Sequence, residues 1–245
     1  MLYNDIPCLM FHHIIDDNGD WNKFSVKYSS LEKYLKKISL MGFGTVGFSD
    51  ISSVKRPVVL TFDDGDKSNL RAAHLLAESG MKAVFYIIKN SSLYNKGFLS
   101  AAEIKEIAGL GHEIGVHGKY HQWWTLKKDE ILVEELMETK HWLEDITGES
   151  VISCSAPGGQ INRHVFNNIA DNCVGFEYVR NSYPKLNILD NKSIQIINSV
   201  AIKYSTMDCT FDKILKGDVL VYKQLQVEWS IKKILRPIYS KFQQY

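Results

Sequence analysis

The chain has 245 residues, 45% of them apolar, and a formal net charge of +1 at pH 7: enough apolar content for one sizeable core, and no charge excess that calls for a nucleic-acid partner. Its four cysteines, Cys8, Cys154, Cys173 and Cys209, stand far apart with no C-x-x-C pair, and Cys8 and Cys154 fall in strand-like runs, so plain buried thiols in a reducing compartment are expected. The first residues carry neither a basic n-region nor an apolar h-region, and no run approaches the length of a transmembrane helix, so the expectation is a cytoplasmic protein with a single domain over 1–245.

In chain order, residues 6–15 read as an opening strand that carries His12 and His13, whose side chains would alternate between its two faces. After a polar loop through Trp21, the residues Leu31, Tyr34, Leu35, Ile38 and Met41 recur at helical spacing, and Gly42 stops that helix. Residues 43–48 and 57–62 read as strands. The second ends in Asp63-Asp64-Gly65, two adjacent carboxylates that a strand tip points in different directions, so each can take a separate role beside a cation; alone, the same residues would read as a solvated turn. A helix over 69–79 ends at Gly80, with His74 on its surface, and a strand over 83–88 and a helix over 101–110 follow.

The strand-like run at 113–116 leads into His117-Gly118-Lys119-Tyr120-His121. Two imidazoles at i and i+4 would share one face of a helical turn, and with Asp64 as a third ligand they would make an open, catalytic type of divalent site. Trp123 and Trp124, directly after His121, read either as a wall on which a pyranose stacks or as core packing of one ring. A long helix over 129–146 ends at Gly148, a strand spans 151–154, a helix 163–172 and a strand 175–179. Strand and helix in alternation mean a parallel sheet, with the ligand-bearing loops after the strand C-termini. His112 reads as structural, and His141 and His164 as solvated. The tail over 227–245 reads as a basic amphipathic helix that Pro237 kinks or interrupts; packing against the domain is its first reading and a peripheral membrane contact its second.

The ordered motifs TFDDG, GHEIGVHGKYH and ITGESVISCSAPGGQIN resemble the polysaccharide deacetylase family, the NodB-homology or carbohydrate esterase family 4 domain. The resemblance implies an α/β fold, a distorted, incomplete (β/α) barrel of about seven parallel strands. It implies Asp63 as general base, Asp64, His117 and His121 as ligands of one divalent ion, and Ala156-Pro157-Gly158-Gly159 as a wall of the substrate groove. Zinc is the first expectation, with cobalt, nickel or iron as alternatives. The implied reaction is hydrolysis of an N-acetyl group on a sugar of an envelope or exopolysaccharide precursor. No histidine follows His164, so the family's C-terminal histidine acid has no counterpart there. Residues 6–15 instead resemble the opening strand of the circularly permuted branch, typified by poly-N-acetylglucosamine deacetylases, which makes His12 the candidate acid ahead of His13.

The chain departs from the family pattern at three places. Gly118 replaces a frequent Ser or Thr, Ser155 stands where many members have an arginine, and the arginine typical of the permuted branch would fall near Asn198. A divalent cation acidifies its water and polarises the amide carbonyl while Asp63 takes the proton, and a backbone N–H such as that of Ala156 would meet the oxyanion. Two alternatives remain at this level. One is an O-acetyl esterase or small-amide hydrolase on the same scaffold, and the other a weakened carbohydrate-binding protein, favoured by the three departures.

Overall fold

The computed structural model describes residues 3–190 and 192–240. Strands β1 (Tyr3–Ile6), β2 (Cys8–Phe11), β3 (His13–Ile15) and β4 (Ser25–Lys27) precede helix α1 (Tyr28–Leu40), and β5 (Gly44–Thr45) and β6 (Pro57–Phe62) precede α2 (Asn69–Glu78). Next come β7 (Val84–Ile87), α3 (Lys89–Tyr94), α4 (Ala101–Gly109), β8 (Glu113–Val116), α5 (Asp129–Thr147), β9 (Ser153–Ser155) and α6 (Arg163–Asn172). Four short strands follow, β10 (Tyr178–Arg180), β11 (Asn187–Leu189), β12 (Gln195–Ile197) and β13 (Val200–Ala201), then α7 (Asp208–Leu215) and α8 (Val219–Ser240).

Eight strands make one curled parallel sheet in the order β12-β10-β9-β8-β7-β6-β2-β13, with β5 beside the start of β6. This is the expected incomplete barrel, with eight strands along the sheet in place of about seven. The strand expected over 43–48 shrinks to β5, and that expected over 175–179 starts later and runs to Arg180. The strands β12 and β13, of three and two residues, are too short to show an alternation in sequence. They are joined by Asn198-Ser199 yet occupy the two edges of the sheet order, so the sheet curls until its edges meet at that seam.

Alternation along each strand sorts the side chains into two layers. Leu9, Phe11, Leu60, Phe62, Phe85, Ile87, Val116, Cys154 and Val179 belong to one apolar cluster with the covering helices. Cys8, Val59, Val84, Tyr86 and Ile197 belong to a second, smaller cluster inside the curl. Every residue of β6 is buried, as a parallel strand covered on both faces requires. Helix α1 forms because Leu31, Tyr34, Leu35 and Ile38 make one buried stripe, and α4 starts on a reciprocal Ser100–Glu103 capping box.

Helix α8 begins at Val219, earlier than the expected 227, and continues to Ser240, so Pro237 does not end it. Tyr222 is buried and donates to the Ile214 carbonyl of α7. Farther along α8, Val227, Ile231, Ile234 and Leu235 are exposed. Residues 241–245 lie outside the described residues. Among those described, no helix is long and apolar enough to cross a membrane.

Candidate active site at the strand tips

The inward parity of each strand, followed one step past its end, delivers the polar residues of the site: His12 after β2, Asp63 after β6 and His117 after β8, with Ser155 and Arg180 ending β9 and β10. The N–H of Asp63 donates to the Phe11 carbonyl at 2.9 Å, which keeps the ladder intact as far as the carboxylate. The backbone then turns left-handed at Asp64 (φ 73°) and Gly65 (φ 68°), and the two carboxylates diverge.

Asp64 Oδ1 lies 3.2 Å from the Nε2 atoms of both His117 and His121. These two rings do not share a helical turn as their spacing predicts. Residues 117–121 form a loop in which Gly118 (φ 81°) and His121 (φ 54°) are left-handed, and the loop folds the rings to a centroid separation of 5.1 Å. His117 Nδ1–H donates to the Ser155 carbonyl at 2.8 Å, so its Nε2 keeps a free lone pair. Burial by itself would raise the Asp64 carboxyl, but the two imidazoles hold it far below the usual carboxylate range.

The donor atoms of Asp64, His117 and His121 lie within 4.8 Å of one another. The Asp64 Oδ1 atom is buried, with the Nε2 atoms of His117 and His121 each 3.2 Å away. One carboxylate and two imidazoles, with His117 buried, Asp64 half-buried and His121 46% exposed, fit a three-ligand divalent site that leaves positions open to water and substrate.

The arginine expected near Asn198 stands instead at Arg180, the last residue of β10. It is fully buried, and Nη2 contacts both Asp63 Oδ2 and Ser155 Oγ, while Nη1 donates to Ser199 Oγ at 2.8 Å. Asp63 Oδ1 is left buried without a partner. Ser155 therefore complements an arginine contributed by the neighbouring strand. The sequence held the signal: Tyr178-Val179-Arg180 continues a strand whose alternation puts Arg180 inward, and reading the strand as ending at Val179 hid it. Asn198 accepts instead from Asn181, the residue after Arg180.

A second buried acid was also missed. Glu135, on α5, accepts from the Lys119 N–H at 2.7 Å and pairs with Lys127 at 2.6 Å, bracing the 117–121 loop. A Cβ on Gly118 would come within 3.2 Å of Glu135 Oε1, so the glycine at this family position allows the carboxylate to do the bracing.

On the N-terminal side, His12 stacks on Phe24 at 4.8 Å and its buried Nδ1 has no hydrogen-bond partner. Burial lowers its pKa, while Asp63 and Asp64 oppose that shift. His13 turns the other way and pairs with Asp66 at 3.0 Å. Of the groove candidates, Trp124 is fully buried and belongs to the core, where it cannot stack on a sugar. Trp123 is half-buried against the Pro-Gly-Gly turn; a Cβ on Gly158 would sit 2.8 Å from its Nε1. Pro157 and Gly159 are buried and Gly158 exposed, so the wall meets solvent at one residue. The N–H of Ala156 donates to the Arg180 carbonyl at 3.2 Å and is not free for an oxyanion. Cys8, Cys154 and Cys173 are buried free thiols, and burial pushes Cys8 up to about 12.

This arrangement combines a candidate three-ligand cation site, a buried carboxylate with one free oxygen, and an imidazole within electrostatic reach of Asp63 and Asp64, which suits hydrolysis of an acyl group. The chain is 26% identical over 145 residues to the peptidoglycan-N-acetylglucosamine deacetylase PgdA of Listeria monocytogenes, an overlap of 58% of this chain and 30% of that one. It is 26% identical over 166 residues to the Bacillus subtilis putative polysaccharide deacetylase YxkH, 64% of this chain and 58% of that one. The chain thus spans less than two thirds of the length of either relative. A polysaccharide deacetylase of Bacillus cereus superposes with TM-score 0.77 at 25% identity, over 87% of this chain and 69% of that one. The Streptococcus pyogenes deacetylase PplD, solved with acetate, shares the fold with TM-score 0.75 at 18% identity, over 89% and 99%. The polysaccharide deacetylase pattern itself matches residues 51–179, just over half of the chain and the span that runs from the approach to β6 into β10. The chain belongs to the polysaccharide deacetylase family.

Proposed function

We propose that this protein is a metal-dependent N-deacetylase acting on N-acetylglucosamine residues of an envelope glycan. The observation that carries this reading is the division of labour between two adjacent carboxylates, Asp64 turned to His117 and His121 and Asp63 turned to Arg180. A divalent ion, zinc in the first instance, held by Asp64, His117 and His121 would supply Lewis acidity to a water and to the amide carbonyl.

The protein's own groups do the rest. Arg180 fixes Asp63 through Oδ2, so that Oδ1 is left to take the proton of the attacking water. His12, on the opposite side, protonates the nitrogen as the C–N bond breaks, releasing acetate and a free amine. Its position after β2, beside β6, supports the permuted arrangement in which the acid precedes the other motifs. The buried pairing of Arg180 with Asp63 supports a working enzyme over a weakened binding protein.

The test is acetate release from N-acetylglucosamine oligomers by the zinc-loaded protein. Asp63→Asn should lower kcat by about 10²–10⁴-fold with metal content retained, because an amide cannot take the proton. Near wild-type turnover in Asp63→Asn would refute the role of the base, and no acetate from any acetylated sugar by the metal-loaded wild type would refute the reading as a whole.

A further inference from the structure

A cavity of about 220 Å³ lies where the first turns of α1 meet the end of β4 and the loop after β13, and Lys27, Ser30, Tyr34, Lys203 and Tyr204 line it. It is smaller than the roughly 300–1,000 Å³ of sites that take a whole small ligand, so it suits one compact group. Its walls are fixed. The Lys203 N–H donates to Thr206 Oγ1 at 2.9 Å, the Tyr34 hydroxyl donates to the Thr206 carbonyl at 2.7 Å, and the Tyr204 ring stacks on Trp21 at 4.6 Å. The cavity lies at the strand-tip end of the sheet. The Ile202 N–H donates to the Met10 carbonyl at 2.8 Å, so the chain leading into Lys203 runs beside the chain leading into His12.

Four lysines gather here. Lys27 and Lys203 line the cavity, and Lys23 and Lys232 act on Lys203 as like charges. Among the described residues, none of the four has a carboxylate within ion-pair distance, whereas Lys33 and Lys37 of α1 are both paired, with Asp208 and Asp212. Glu228 opposes the other lysines at Lys203 from beyond that distance, and Asp17, which acts on Lys27, accepts from the Ser29 N–H at 3.2 Å. Burial and the neighbouring ammoniums pull the Lys203 pKa down, as for a cation that the fold alone does not neutralise. Lys27 and Lys23 lie over aromatic rings, 5.7 Å from the centroid of Tyr204 and 4.9 Å from that of Phe24, the ring that stacks on His12. The whole chain has a net charge of only +1, so this concentration is local. An ammonium is a compact point charge with three donors, and several around one small space match the separate oxygens of a tetrahedral dianion, whereas an arginine fork would suit a planar carboxylate.

We propose that this cavity is a phosphate site, in which the ammoniums of Lys27 and Lys203 and the Ser30 hydroxyl hold the phosphate group of a ligand while Lys23 and Lys232 complete its neutralisation. The inference stands on the cavity and its lysines and does not rest on the reaction at the strand-tip site. A bound phosphate supplies the counter-charge that Lys203 lacks, so binding recovers stability that the buried cation costs.

Calorimetric titration of the zinc-loaded full chain with inorganic phosphate at low ionic strength tests it. The wild type should bind, and Lys27→Met and Lys203→Met should each weaken binding roughly ten- to hundredfold, as loss of one charge-assisted hydrogen bond implies. Lys82→Met, which removes an ammonium paired with Asp50 ahead of β7, at the opposite end of the sheet, should bind as the wild type does. No binding by the wild type, binding unaltered in both cavity variants as for an anion held by the metal, or an equal loss in Lys82→Met would overturn the site. N-acetylglucosamine 1-phosphate, and phosphatidylcholine vesicles with and without phosphatidic acid, then identify the source of the phosphate. A sugar phosphate that binds more tightly than inorganic phosphate, and loses that gain in Lys203→Met, makes the site part of a phosphorylated substrate's path. Sedimentation with the phosphatidic acid vesicles alone, lost in Lys203→Met, makes it a lipid headgroup site, and either result supports the proposal.

Discussion

Asp64 and His121 are both non-glycine residues in left-handed backbone, a conformation that costs on the order of 1–3 kcal/mol per residue. The strain turns the Asp64 carboxylate and the His121 ring toward His117, and a bound cation would offset it. His12 differs from these residues, since its ring stacks on Phe24 and belongs to no ligand set. His12→Ala should therefore bind zinc normally, lose most of its rate on an N-acetyl amide, and lose far less on an activated acetyl ester, whose leaving group needs little protonation. Equal losses on both substrates would mean that His12 is not the acid. His13→Ala serves as the control, because His13 pairs with Asp66 away from the cluster.

Among the elements, α5 and α3 decide the shape of the 117–121 loop more than the loop itself does. The amide N–H groups of Lys89 and Asn90 in α3 donate to the Gly118 and Lys119 carbonyls at 3.2 and 3.0 Å, and Glu135 of α5 accepts from the loop's other side. Glu135 is buried with Lys127, so its removal leaves the Lys127 ammonium without a counter-charge, with only the neutral Gln122 Oε1 to accept from it, and two loop N–H groups unsatisfied. Glu135→Ala should cost about 3–5 kcal/mol of stability and weaken zinc binding by about 10–100-fold. Glu135→Gln can still accept from the loop and should recover part of the zinc affinity. Thermal melts with zinc titrations measure both effects, and an unaltered zinc affinity in Glu135→Ala would show that the loop is not held from α5.

For the whole molecule, the cluster ties the tip of β6 to the loop after β8, two strands apart in the sheet, so an ion bound there would stabilise the fold by linkage. At zinc concentrations near 100 times Kd the gain is about 2.7 kcal/mol, or roughly 5–10 °C in Tm for a chain of this size. The same zinc addition should leave the Tm of His121→Ala nearly unmoved, and an equal shift in both proteins would place the ion elsewhere. Away from the cluster, Lys203 is lowered to about 8 by burial and by Lys232. Its folded value lies below the lysine's ordinary 10.5, so burying it charged costs stability below about pH 8, and stability should rise as pH goes from about 8 to 10.5. Lys203→Met should be the more stable protein at pH 7 and lack that rise in urea titrations at the two pH values.

Local pattern sufficed for the strand–helix alternation, for both carboxylates at a strand tip and for the pairing of His117 with His121, because alternation, helical spacing and glycine stops act over a few residues. Three features depended on the tertiary structure. The spacing of His117 and His121 predicts a helical turn, but the left-handed Gly118 and the buried Glu135 and α3 N–H groups override it. Trp123 and Trp124 look equivalent in sequence, yet the first lies on the Pro-Gly-Gly turn and the second is sealed in the core. Arg180 reaches Asp63 across 117 positions of chain because β10, β9, β8, β7 and β6 stand side by side in one curled sheet, and only the closing of that sheet brings inward residues of distant strands onto one carboxylate.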